Sequence, residues 1–223
     1  MEENTPKTNK VKPKLRGVSH QWAAIVSIFF GAWLVMETPN EEVRWIASIY
    51  ALSLTLLLGV SAIYHRVHWT PERRAWMRRL DHTMIFVLIA GSYTPVCILG
   101  LEGAIADWML KIVWGSVVVG AIYNLIWLHA PKWIMAVLCS VVGLTAVVAL
   151  GDMWEQLGPA FVIWILAGGL CYTIGAVTYA TRKPDPVPTV FGYHEVFHAL
   201  VIAAAACHYV AFKLYIFDPL ASA

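Results

Sequence analysis

Three histidines, one aspartate and one serine lie where apolar stretches of the chain meet polar ones. His65 ends the sequence Ser61-Ala-Ile-Tyr-His65, and Asp81 follows an arginine-rich segment. His194 and His198 are four residues apart, so on a helix they share one face about one turn apart. Imidazole and carboxylate groups suit zinc, and a catalytic zinc takes three protein ligands and leaves a position for water. This pattern predicts a zinc site with His65, His194 and His198 as its ligands.

Asp81 and Ser61 are predicted to act on the water of this site. Zinc lowers the pKa of bound water towards about 7, and a nearby carboxylate such as Asp81 would hold that water and take its proton. Ser61, one helical turn before His65, would hydrogen-bond the water or a developing oxyanion. Direct coordination by Asp81 is the alternative, and it would close the site.

Two other interpretations of the same residues stay open. His194-Glu-Val-Phe-His198 matches the HExxH signature of zinc proteases, in which Glu195 would be the general base. A protease site inside a membrane needs a third ligand from a deeper helix, and Asp81 is the only acid at a suitable depth. Considered without the histidines, Asp81 also fits the interpretation of a carboxylate that the helix dipole favours at a helix N-terminus. Glu195 alone would fit an exposed residue in the first turns of the last helix.

The remaining histidines are interpreted as ordinary packing or interfacial residues. They are His20, His68, His82, His129 and His208.

Composition excludes a soluble globule, because 59% of the 223 residues are hydrophobic and 13% are charged. Apolar runs of about 20 residues recur along the chain, each long enough as a helix to cross a hydrocarbon core of about 30 Å. They cover residues 20–37, 43–65, 82–100, 106–128, 133–151, 159–180 and 192–216. We therefore predict an all-α membrane protein, with a basic cytoplasmic tail at 1–19 and a seven-helix transmembrane domain at 20–223. A net charge of +2 does not suggest a nucleic-acid partner.

The distribution of charge along the chain predicts its orientation, because lysine and arginine near helix ends resist translocation. These residues fill the tail and the second, fourth and sixth connections, whereas acidic residues mark the other connections. The N-terminus is therefore predicted inside and the C-terminus outside. In this orientation His65, Asp81 and His194 reach one depth near the cytoplasmic face. The orientation is deduced from the charges alone, without using the positions of these three residues. Their common depth is therefore independent support for a shared site.

The polar residues fall within three motifs along the chain. The motifs are Ser61-x-x-x-His65, then Leu80-Asp81-His82-x-x-Ile85 leading into Ala90-Gly91-Ser92-Tyr93-Thr94-Pro95, then His194-x-x-x-His198. Together they resemble the hemolysin III branch of the progesterone and adipoQ receptor family, from the first helix to the last. The resemblance implies a seven-helix bundle with its N-terminus inside, in which the three histidines bind zinc and the serine and aspartate support a water-mediated site. The family is also similar in its site to alkaline ceramidases, which implies hydrolysis of lipid amides.

These observations predict a hemolysin III-like protein of the bacterial inner membrane with a zinc-dependent activity on amide or ester bonds of lipids. A membrane lipid is the expected substrate or ligand. The alternative is a non-enzymatic sensor or regulator of membrane lipid homeostasis in which the zinc is structural. Cytolysis, which the hemolysin name implies, and intramembrane proteolysis rank lower. The first apolar run ends without a small-residue cleavage site, so we expect it to be retained as a helix.

Overall fold

A computed structural model describes residues 12–38, 40–127 and 132–221, and over these residues the chain is helical and forms no β-sheet. Within these described residues, seven helices are long and apolar enough to cross a membrane, which confirms the predicted fold class. They are α1 (Val18–Glu37), α2 (Glu41–Arg66), α3 (Pro71–Gly100), α4 (Ala104–Ile126), α5 (Val137–Leu157), α6 (Pro159–Thr181) and α7 (Tyr193–Ala221). Residues 1–11 of the predicted tail, and His129, lie outside the described residues.

Three of the seven helices depart locally from α-helical geometry. After Pro95, α3 ends in a π-helical turn, Val96–Gly100. The α5 segment continues an α-helix that starts at Lys132, passes through a 3₁₀ stretch at Leu144–Ala149 and ends in a short α-helix, Leu150–Leu157. The α7 helix contains a second π-helical turn, Lys213–Phe217. Turns of this kind leave backbone groups without their α-helical hydrogen bonds, and neighbouring side chains can replace those bonds. In α5, the backbone N–H of Ala146 donates to the Tyr93 hydroxyl oxygen at 2.9 Å.

The start of α3 corrects one prediction. The helix begins at Pro71, with Thr70 as its N-cap, whereas the apolar run begins at residue 82. The arginine-rich segment is therefore helical, because arginine is a good helix former even where it ends the apolar pattern. Asp81 lies about 15 Å inside the helix rather than at its N-terminus. The interpretation of Asp81 as a carboxylate favoured by the helix dipole is wrong, since that effect fades within the first turn.

Close helix packing sets the frame of the bundle, with α2 against both α1 and α3, and α6 against α7. Gly91 of α3 lies so close to α2 that a Cβ atom there would be 2.1 Å from Ser53 Oγ and 2.5 Å from Ser53 Cβ. Small residues of this kind allow membrane helices to approach each other. In the centre, the rings of Tyr50 and Phe212 meet edge to face at 4.9 Å and join α2 to α7.

The connection between α6 and α7 fixes where the last helix starts. Residues Val187 and Phe191 form an isolated antiparallel bridge, and α7 then begins at Tyr193. The backbone N–H of Gly192 donates to Glu195 Oε2 at 2.9 Å, which satisfies one of the free donors at the helix start. This cap sets the rotation of α7, and so directs the faces of the histidines in its first two turns.

Candidate metal centre

The structure brings His65, His194 and His198 together. His65 lies in the last turn of α2, and the other two lie in the first two turns of α7. One potential ligand atom from each residue lies within 4.8 Å of the others, and all three residues are buried. The Nε2 atoms of His65 and His194 are 3.1 Å apart.

This geometry and its chemistry fit one zinc ion. In a tetrahedral site with Zn–N bonds of about 2.0–2.1 Å, two ligand nitrogens are about 3.3 Å apart. The separation of the His65 and His194 nitrogens is already close to that value, and a ligand atom of His198 lies within 4.8 Å of both. All members of this group of close ligand atoms are buried imidazoles, and none is a carboxylate. Neutral imidazole nitrogens are donors that zinc accepts.

Ser61 and Asp81 line the same cavity as His194 and His198. Ser61 and Asp81 are thus contributed to one cavity wall by α2 and α3 respectively. Among the described residues, the group of close metal-ligating atoms contains the three histidines and does not include Asp81. The role of Asp81, as a ligand or beside the ion, stays a prediction.

A cavity of about 480 Å³ extends from this polar end into the bundle between α2, α3, α5, α6 and α7. Along α3 its wall runs from Asp81 to Val96, which corresponds to about 22 Å of helix. Apart from a few polar groups its lining is aliphatic and aromatic, with Met153 and Phe212 at the far end. Its size and its mostly apolar lining with a few polar groups are typical of ligand sites.

Glu195 corrects another prediction, because its side chain is buried with 1% exposure rather than exposed. Arg16 Nε donates to Glu195 Oε1, and the second carboxylate oxygen accepts from the Gly192 N–H. A buried carboxylate needs such a partner, and here the partner lies 179 residues away in the chain. The spacing of residues in the sequence therefore does not predict this ion pair. The sequence feature that points to it is the presence of lysine and arginine before the first helix.

His20 is a second residue whose environment the sequence does not reveal. Its ring stacks on the ring of His198, with centroids 3.7 Å apart and planes 11° apart. His82 and His208 both line the cavity, His208 at the end distant from the metal group, where its Nε2 lies 3.4 Å from the Ile165 carbonyl. The interpretation of His20 as an ordinary packing residue thus omitted its contact with a candidate ligand.

Basic side chains lie close together at the end of the bundle that contains the histidines. The pKa of Lys12 is lowered by partial burial and by the guanidinium groups of Arg74, Arg66 and Arg16. Arg66 and Arg74 are exposed, and over the described part of the chain neither forms an ion pair with a carboxylate. Positive charge is therefore concentrated at the end of the bundle that contains the histidines.

A sequence profile of the family described as "Haemolysin-III related" matches residues 8–209. The chain belongs to this family. It is similar to Hemolysin-3 of Bacillus cereus, with 29% identity over 96% of this chain and 97% of the relative. It is 26% identical to the monocyte to macrophage differentiation factor of Homo sapiens, over 89% of this chain and 82% of the relative. The adiponectin receptor protein of Drosophila melanogaster is 26% identical over 82% of this chain and 45% of that protein.

These relatives confirm the hemolysin III branch of the progesterone and adipoQ receptor family, as the three motifs indicated. The candidate site of this haemolysin-III-related chain, from Ser61 to His198, falls entirely within the matched residues. Family membership and the seven apolar helices together establish an integral membrane protein.

Proposed function

We propose that the protein binds one zinc ion through His65, His194 and His198 and hydrolyses an amide or ester bond of a membrane lipid. The observation that carries this proposal is the position of the histidines at the polar end of a long apolar cavity. A lipid acyl chain in that cavity would place its carbonyl group beside the histidines. The zinc would supply Lewis-acid polarisation of the carbonyl and a lowered pKa for water.

Asp81 is assigned the proton transfers of this reaction. Its carboxylate takes a proton from the attacking water and returns it to the leaving amine or alcohol, so that the products are a fatty acid and the released headgroup part. The Ser61 hydroxyl, beside this carboxylate, orients Asp81 or donates to the oxyanion that forms on the carbonyl. The surrounding apolar wall limits the access of bulk water.

A non-enzymatic sensor of membrane lipid state, with a structural zinc, is the second candidate. It is favoured by the way helices close around the site: α2 and α7 provide the ligands, and His20 of α1 covers His198. An ion there would join α2 to α7, and also to α3 if Asp81 coordinated it, without any chemistry. In this function Asp81 would complete a closed set of four ligands.

Proteolysis and cytolysis are weaker candidates. The carboxylate of Glu195, which would be the base of a protease, is bonded to Arg16 and to the Gly192 N–H. Hemolysin-3 of Bacillus cereus carries a name that denotes lysis. The bundle of this chain has a packed core around Leu34, Tyr50 and Phe161, which suits a resident membrane protein better than a secreted pore former.

We further infer that the histidine end faces the cytoplasm of a bacterium, with the N-terminus inside and the C-terminus outside the inner membrane. The cluster of Lys12, Arg16, Arg66 and Arg74 at this end supports the orientation. Fusions to the C-terminus test it. An alkaline phosphatase fusion is expected to be active and a green fluorescent protein fusion dark, and the reverse result would overturn the orientation.

The enzymatic proposal is tested with pure, zinc-loaded protein in liposomes that contain a panel of lipid amides and esters. Fatty acid release is followed by mass spectrometry, and Asp81→Asn is the matched control because it keeps the size of the side chain. Turnover that requires Asp81 supports hydrolysis. If zinc is bound but no lipid of the panel is cleaved, the structural-zinc function is favoured instead.

A further inference from the structure

We propose that His20 is a positioning residue, which holds the ring of His198 in the orientation needed to bind the metal. The inference rests on the zinc site of the proposed function, and it adds a fourth histidine that is not itself a ligand. Among the described residues, the group of close ligand atoms includes His65, His194 and His198 but not His20.

The first argument is the stacking geometry. The two rings lie face to face at 3.7 Å with planes only 11° apart, and His20 and His198 are 3% and 1% exposed. The rings of His194 and His65 also lie against His198, at centroid distances of 4.5 and 5.2 Å. Rotation of the His198 ring about its Cβ–Cγ bond would drive one edge of the ring into the face of His20. The stack therefore restrains this rotation.

The second argument is that His20 is held firmly by the segment before it. Gly17 has φ of 79°, and a Cβ atom there would lie 2.6 Å from Cβ of His65. The segment is thus in direct contact with the helix turn that carries one candidate ligand. A positive φ of this kind favours glycine. Gly17 therefore allows both the close approach to His65 and the sharp change of chain direction before α1.

The third argument is that the same segment is tied to the start of α7. The backbone N–H groups of Lys14 and Leu15 donate to the carbonyl oxygens of Thr189 and Val190, at 3.0 and 3.1 Å. The side chain of Arg16 pairs with buried Glu195, between the two histidines of α7. His20 is thereby anchored to both elements that supply ligands, and its position is fixed relative to them.

A purely space-filling role makes a different prediction from a positioning role. If His20 only fills space, any apolar residue of similar volume should replace it. If its flat face restrains His198, a planar ring without nitrogen should suffice and a branched aliphatic chain should not. The two roles are therefore separated by His20→Phe, which keeps the ring, and His20→Leu, which removes it.

The experiment measures zinc affinity by competition with a fluorescent chelator, and the visible absorption of the cobalt-substituted protein, which reports ligand geometry. We expect His20→Leu to weaken zinc binding by about tenfold or more and to change the cobalt spectrum, as loss of groups that orient metal ligands does. His20→Phe should stay within about threefold of the wild type. The matched control is His208→Leu, a cavity histidine of α7 outside the metal group, which should bind as the wild type does.

Melting temperatures with and without zinc separate positioning from general destabilisation. A positioning role reduces the zinc-dependent increase in melting temperature, whereas a merely structural role lowers both temperatures equally. Only monodisperse, helical samples are compared, and His20→Gln serves as the ringless variant if His20→Leu does not fold.

The outcomes distinguish this inference from the proposed function. Wild-type protein without zinc affinity would overturn both. Wild-type binding with unchanged affinity and spectrum in the ringless variant would overturn the positioning role alone. A phenylalanine variant as weak as the ringless one would show that stacking is not what His20 contributes.

Discussion

At the scale of single residues, the candidate zinc ligands and the proposed proton acceptor are on different helices, so substitutions can test the two roles separately. His194 and His198 come from one face of α7, His65 from the end of α2 and Asp81 from α3. The sequence was sufficient to nominate all of these residues, because a helix repeat and a charge count fix face and depth. It could not nominate Arg16 or His20, because their partners lie more than a hundred residues away and no spacing rule links them.

Zinc content is the first residue-scale prediction. Wild-type protein should contain about one zinc per chain, and His194→Ala with His198→Ala should reduce it to background, since two of three nitrogens are lost. Elemental mass spectrometry of protein prepared without chelator measures this. The control His208→Ala should retain the metal. A double variant that keeps its zinc would remove the site and both functions built on it.

The role of Asp81 is the second residue-scale prediction. Asp81→Asn should keep the zinc and lower kcat for lipid hydrolysis by about 10²–10⁴-fold, because the amide cannot accept the proton of the attacking water. Parallel measurement of kcat and zinc content checks it. Loss of zinc from this variant would instead identify Asp81 as a ligand and favour the closed, structural site.

At the scale of helices, apolar runs predicted the existence of all seven spans better than their ends. The α3 helix extends beyond its apolar run because a Thr70 cap and helix-forming arginines continue it outside the hydrocarbon region. Hydropathy reports which part of a helix is compatible with lipid, and it does not report where the backbone hydrogen bonds stop. Local irregularities such as the 3₁₀ stretch Leu144–Ala149 depend on a distant tyrosine and leave no periodic signal.

Packing of α2 on α3 gives the element-scale prediction. Gly91→Ala should lower the free energy of unfolding by about 1–3 kcal/mol, because the new methyl group overlaps Ser53 and must force the helices apart. Thermal melting in detergent measures the change. Gly59→Ala is the matched control, since a Cβ at Gly59 has no atom within 4 Å apart from its own helix. Equal melting temperatures for the two variants would show that α2 and α3 are not in close contact at Gly91.

At the scale of the whole molecule, the ion pair between Arg16 and Glu195 joins the start of the chain to its last helix. Breaking a buried pair by removing one partner leaves the other charge uncompensated, at a cost of about 3–5 kcal/mol. We expect Arg16→Gln to destabilise the protein by an amount near the lower end of this range, because Arg16 is 19% exposed.

A double-variant cycle tests the pair. Arg16→Gln combined with Glu195→Gln should be more stable than Arg16→Gln alone, because no unpaired charge is then buried. Chemical or thermal unfolding of the three variants gives the coupling energy. Strictly additive effects would mean that the two side chains do not interact in the membrane.

The contact between Arg16 and Glu195 also has a consequence for biosynthesis. The ribosome makes Arg16, Gly17 and His20 early, but the set of their partners, His65, Glu195 and His198, is complete only when the last span is synthesised. Helices can therefore enter the lipid bilayer one after another while the site stays unassembled. In the proposed function, metal capture is then one of the last events of maturation, because two of the three candidate ligands, His194 and His198, lie in α7.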